Sequence, residues 1–210
     1  MARKKAEAKI VKLVLIKEGT FHIPVTKNIF GGDENYVPIR YPLMIRGAGQ
    51  EKTVIHGGFK IEGTKEEKKR VNMQGMTMKG SRGDGFYNVN GLSFLCKDMT
   101  FTQCGDCGVV AENTKGRLIN CVITQCGSSG IYSGENALIE LEGDQSKVDG
   151  NGTGGNSYYF GLYTTYTCNT SSIIHLLFPL TQESVSTNNH GGRNYRSGGT
   201  IETVNTFESL

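Results

Sequence analysis

The chain has 210 residues, 37% hydrophobic and 20% charged, with 29 glycines, 4 prolines and no tryptophan. Glycine stands at about twice its usual share of roughly 7%, but without a G-X-Y period or matching proline, which excludes collagen. It is also interspersed with Ile, Val, Leu, Met and Phe, which excludes a disordered tract. The net charge of +3 is concentrated at the start, where Arg3, Lys4, Lys5, Lys9, Lys12 and Lys17 face only Glu7; the remaining body is slightly acidic, and without a basic face no nucleic-acid partner is expected.

Ala2 to Lys9 is rich in Ala, Lys and Glu and predicts a short helix. Within the basic segment 1–17 it would serve as an N-terminal cap for a stacked fold. Val11 to Ile16 is shorter than a secretory h-region of about 7–15 residues and is interrupted by Lys12. No run approaches the ~18 apolar residues of a membrane span. As written, the chain carries no export signal, and no membrane partner is expected. Ile10 to Ile16 alternates as a strand, and the charge run 64–70 reads as a solvated loop.

The strongest pattern is internal. Thr102-Gln-Cys-Gly105 recurs as Thr124-Gln-Cys-Gly127, a shift of 22 residues that also carries Phe101 to Ile123 and Val109 to Ile131. Upstream, a shift of 23 carries Met76 to Met99, Met78 to Phe101 and Gly85 to Gly108. Periods of this length mark solenoids. Each unit holds three short alternating runs: Leu92–Phe94, Met99–Phe101 and Gly108–Val110, then Arg117–Ile119, Cys121–Ile123 and Gly130–Tyr132. Three brief strands per unit describe a coil of parallel β-helix. A leucine-rich repeat has a similar period but needs a helical return, and Gly127 to Asn136 shows no helical periodicity. Residues 43–178 hold no proline, as repeatedly paired strands require. Gly85, Gly108 and Gly130 are expected at coil corners, where the backbone turns sharply. One domain over 1–210 is expected, with coils of about 22–25 residues over 18–205 and a tail at 206–210.

Lys17-Glu-Gly-Thr-Phe21, Leu43-Met-Ile-Arg-Gly-Ala-Gly49 with Lys52-Thr-Val-Ile55, and Gly91-Leu-Ser-Phe94 resemble the right-handed parallel β-helix, or pectin-lyase-like, superfamily. The resemblance covers roughly residues 10–205. It implies an all-β, right-handed solenoid. It does not fix an activity, since the superfamily spans pectate lyases, polygalacturonases, methylesterases, epimerases, phage tailspikes and proteins with no known reaction.

Polysaccharide-active members carry carboxylates on adjacent coils. Here the best pair is Asp84 and Asp106, just ahead of Gly85 and Gly108; the plainer reading makes both of them turn aspartates. Asn189-His-Gly-Gly192 offers His190 but lacks the accompanying Asp-Asp and Arg-x-Lys of polygalacturonases. Glu140 and Glu142 flank Leu141 and read as the wet face of a strand. His175 reads as a packed or edge histidine, and His22 and His56 show no partner pattern.

Cys104, Cys107, Cys121 and Cys126 have spacings that can hold zinc, but the repeat itself accounts for them as stacked core residues. No metal and no cofactor is expected. Gly150-Asn-Gly-Thr-Gly-Gly155 matches a dinucleotide fingerprint, yet an aromatic, β-prone stretch follows where a helix is required. Asn151 and Asn169 begin glycosylation patterns, which matter only in a secreted chain. Tyr158, Tyr159, Tyr163 and Tyr166, with Phe160, follow this glycine-rich insertion. They offer flat apolar faces with hydroxyls, either as a ligand surface or as local packing. The expectation is a non-catalytic module binding carbohydrate or a protein partner along its face. The alternative is a lyase, hydrolase or epimerase using Asp84 and Asp106.

Overall fold

The computed structural model describes residues 12–64 and 69–207; the helix expected over 2–9 lies outside them. Alternating sequences form short strands that wind into coils with three faces. One face is a seven-stranded parallel sheet built in sequence from Tyr36–Ile39, Gly58–Ile61, Phe86–Val89, Val109–Glu112, Ile131–Gly134, Leu162–Thr164 and Tyr195–Ser197. Pro38, which cannot donate a ladder hydrogen bond, lies in the terminal strand of this sheet. The other two faces merge in a thirteen-stranded sheet. They merge because Arg70–Lys79 and Ser93–Thr102 turn the corner without a break, at Gly75 (φ 68°) and Asp98 (φ 50°). One coil later Asn120 takes the same left-handed conformation and separates Lys115–Ile119 from Val122–Thr124.

The strand registers are the two sequence shifts made physical. Met76 pairs with Met99 and Met78 with Phe101, while Phe101 pairs with Ile123 and Val109 with Ile131. This is the parallel β-helix that the repeat predicts. Inward residues stack rung upon rung into one apolar core that reaches from Ile39 to Ile201. The Phe86 and Phe94 rings meet across it at 4.6 Å. Cys96, Cys104, Cys121 and Cys126 are buried in that core, and burial raises the Cys96 and Cys121 thiols, while at Cys104 it adds to the effect of contact with the Cys126 thiol. Among the described residues no group of three His, Cys, Asp or Glu is placed to hold a metal.

Two expectations are corrected. Gly85, Gly108 and Gly130 do not occupy left-handed corners; those corners hold Asn90 and Asn113, Asp98 and Asn120, and Gln103 and Gln125, with other glycines (Gly75, Gly80, Gly143 and Gly150) left-handed at the equivalent places of the flanking coils. Asn and Asp are the non-glycine residues that most readily enter the αL region. The side-chain amides at two of these corners form outer ladders, Asn113 to Asn90 at 2.6 Å and Gln103 to Gln125 at 3.2 Å. The glycines are instead required by close approach. A Cβ on Gly108 would sit 2.2 Å from Ile123 Cγ2 and 2.8 Å from the Gly130 carbonyl.

The second correction concerns Glu140, which is not on a wet face. It is 1% exposed because Arg117, its partner in the strand register, binds it at 2.7 Å, and the Arg117 guanidinium lies over the Phe207 ring. His175 is next along the same row and pairs with Glu202 at 3.2 Å.

Candidate functional site: an acidic, tyrosine-floored groove

Alternation sends every second residue of the seven-stranded sheet outward. The register aligns Pro38, Lys60, Tyr87, Val110, Tyr132, Tyr163 and Arg196 in one outward row. From Lys60 to Arg196 the row has a basic residue at each end and tyrosines between them around Val110. Lys60 lies over the Tyr87 ring, 5.8 Å from its centroid, and Arg196 caps Phe160 and Tyr163 at 5.6 and 5.8 Å. Tyr132 and Tyr163 meet edge to face at 5.5 Å.

Two adjoining compartments follow this row and share Asp84 and Asp106. The first, about 500 Å³, is lined by Tyr36, Lys60, Arg82 and Tyr87 and by the tip of a hairpin, Thr26–Lys27 paired with Asp33–Glu34. Asn28 Oδ1 accepts the amides of Phe30 and Gly32 at that tip, which holds Ile29 and Phe30 out in solvent, 93% and 90% exposed. The second compartment, about 400 Å³, is lined by Glu112, Ser128, Tyr132, Tyr158, Tyr159 and Tyr163 beside the aspartates.

Asp84 and Asp106 share a site but not a register position. The amide of Cys107 donates to Asp84 Oδ1 at 2.8 Å, and the Asp106 amide donates to the Gly83 carbonyl, so Asp106 lies over Gly83, one residue out of step with Asp84. Neither aspartate has a positive φ among the described residues, so left-handed turn geometry does not account for them. Asp84 is half-buried while Asp106 is exposed. Burial, reinforced by the Asp106 charge, pushes the Asp84 carboxyl up to about 7, although the Cys107 hydrogen bond pulls the other way. Burial also raises Glu112, with help from Glu135.

The sequence candidates therefore divide. Asp84, Asp106, Tyr158, Tyr159 and Tyr163 come together. Tyr166 is 64% exposed on a small hairpin and does not line the groove. His190 begins a short 3₁₀ turn, its amide bound to the Asn151 carbonyl and its Cβ against Gly152, also away from the groove.

Asn151 is 1% exposed and ties Asn189 to the coil, so its glycosylation pattern is structurally engaged. Sequence reasoning missed Tyr87, Glu112 and Tyr132; for the two tyrosines, shared outward parity was the available signal. It also missed the His22–His56 pair, stacked at 4.5 Å, with the His56 imidazole held low by burial, His22 and Lys79. Comparison with protein-family models, curated proteins and solved structures found no match.

Proposed function

We propose that the chain is a β-helix module that binds a polysaccharide lengthwise along the groove of its seven-stranded sheet. The observation that carries this reading is the continuous outward row running from Lys60 through Tyr87, Val110, Tyr132 and Tyr163 to Arg196. Its rungs recur at ~4.8 Å, so the row offers a long, evenly spaced track to an extended ligand lying along it. Tyrosines supply flat faces for sugar rings together with hydroxyls for their polar edges. Kinship with the pectin-lyase-like superfamily belongs to the same proposal and rests on the motifs at 17–21, 43–55 and 91–94.

A second reading is favoured by one observation, the raised Asp84 carboxyl beside Asp106. A carboxyl that stays protonated near neutrality is suited to general-acid work, and a neighbouring carboxylate on the next coil could serve as its counterpart in glycoside cleavage. A glycan array and a reducing-end assay on the best binders separate the two. Binding without new reducing ends supports the module. Turnover abolished by Asp106→Asn supports the enzyme, and an array with no binder removes both.

A further inference from the structure

The second compartment of the groove is chemically one-sided. Asp84, Asp106 and Glu112 line it with Tyr132, Tyr158, Tyr159 and Tyr163, and no Lys, Arg or His is among its lining residues. None of these three carboxyl groups has an ion-pair partner among the described residues. Lys60 and Arg82 line the adjoining compartment and not this one, and the basic residues of the row, Lys60 and Arg196, each lie over the face of a tyrosine.

A second observation is independent of charge. Ser128 is only 8% exposed yet lines this compartment, and its hydroxyl has no hydrogen-bond partner among the described residues. The side chain is held in place by its burial while its hydroxyl opens onto the groove, where a ligand atom can complete its hydrogen bonding.

We infer that this compartment takes an organic ammonium group, carried by an amino-sugar residue of the bound polysaccharide; the inference rests on the polysaccharide reading above. Asp106 and Glu112 supply the counter-charge, Asp84 offers a carboxyl oxygen to the ammonium, and the tyrosine rings supply π-faces of the kind that already seat Lys60 and Arg196. The Ser128 hydroxyl accepts from the ammonium or donates to a sugar oxygen. A polyuronate would bring carboxylates against Asp106 and Glu112 and is disfavoured by the same electrostatics.

The test is calorimetric titration of the full chain with four probes, in a buffer that keeps the sugar amine protonated: a β-1,4-glucosamine oligomer, its N-acetylated counterpart, a galacturonate oligomer and an oligolysine peptide. The glucosamine oligomer should bind at least about tenfold tighter than each of the others. Asp106→Asn and Glu112→Gln, both outside the apolar core, should each erase most of that preference, with circular dichroism confirming that the fold is kept. Equal or tighter binding of the acetylated or uronate oligomer overturns the inference and leaves the polysaccharide reading standing. Tighter binding of oligolysine overturns it in favour of a cationic peptide, and no binding by any probe overturns it too, with the polysaccharide reading then decided by the glycan array.

Discussion

Asp84 and Cys107 are joined across one coil, the Cys107 amide donating to Asp84 Oδ1 at 2.8 Å. The donor is backbone held next to the ladder between Phe86–Val89 and Val109–Glu112, so the carboxyl is fixed beside Asp106 even though burial disfavours its charged form. The raised value has a thermodynamic consequence. Between its ordinary value of about 4 and about 7, the unfolded chain releases a proton that the folded chain keeps. Stability contributed by this group is thus fully present below about 4, falls as pH rises, and levels off above about 7. Asp84→Asn retains a carbonyl oxygen for the Cys107 amide and removes the ionisation. It should match the parent at low pH and exceed it above neutrality by a few kcal/mol at most, since a tenfold change in a protonation equilibrium is worth ~1.4 kcal/mol. Denaturant midpoints of both proteins across this range check it; a difference that does not vary with pH would refute the assignment.

Asp106→Asn makes the companion prediction. It removes the like charge that helps raise Asp84, so the Asp84 carboxyl should titrate at lower pH, by up to about one pH unit for an exposed neighbour screened by water. Carbon-detected NMR of the side-chain carboxyl reads this directly. An unmoved titration would show that burial alone sets the value.

Close approach at the glycines can be separated from backbone freedom. Gly108→Ala puts a methyl group 2.2 Å from Ile123 Cγ2 at a residue whose φ is not left-handed. It should cost about 1–3 kcal/mol by overpacking. Gly155→Ala has a φ of +78° and open space around its Cβ, so only the left-handed backbone is penalised, by about 1 kcal/mol. Chemical denaturation of both variants tests the distinction, and a milder effect at Gly108 than at Gly155 would contradict it.

The same distinction explains what was legible in the sequence. A stacked solenoid writes its register as a repeat, so the shifts of 22 and 23 residues gave the partners of Met76, Phe101 and Val109. The repeated glycines were visible for the same reason, but not their cause. Left-handed geometry and close approach both select glycine, and only the neighbours of the missing Cβ distinguish them. Glu140 misled because alternation shows that it points outward, not that Arg117 and Phe207 lie beside or over that position. Asp84 and Asp106 were readable as a pair because they sit in the regular coils. Tyr87 and Tyr132 escaped notice because an outward residue gains meaning only when the whole row is assembled. The insertion before Tyr158 hid how Tyr158 and Tyr159 reach that row.

The covered ion pair makes its own prediction. Arg117→Met strands the Glu140 carboxylate, which is 1% exposed and bound at 2.7 Å. Removing one partner of such a pair should cost about 3 kcal/mol. Arg117→Met with Glu140→Leu should recover most of that loss, because the pair itself adds little over well-packed apolar side chains. A double-mutant cycle by thermal denaturation is the measurement. A double variant no more stable than Arg117→Met alone would mean that the contact of Arg117 with Phe207, rather than its charge, holds this face.

The tyrosines divide by position rather than by residue type. Tyr163 lines the groove, meets Tyr132 edge to face and carries Arg196 on its ring, whereas Tyr166, three residues on, stands 64% exposed on its hairpin. If the groove holds a sugar chain, Tyr163→Ala removes both a ring platform and the support that orients Tyr132. Affinity for the best oligosaccharide on the array should then fall about tenfold, the equivalent of ~1.4 kcal/mol. Tyr166→Ala removes a side chain that meets neither compartment and should leave affinity within about twofold. Tyr158→Ala should resemble Tyr163→Ala in direction, since Tyr158 lines the same compartment despite its exposure. Titration of the three variants with one oligosaccharide decides the matter. A loss at Tyr166 equal to that at Tyr163 would place the binding surface on the hairpin and not on the outward row.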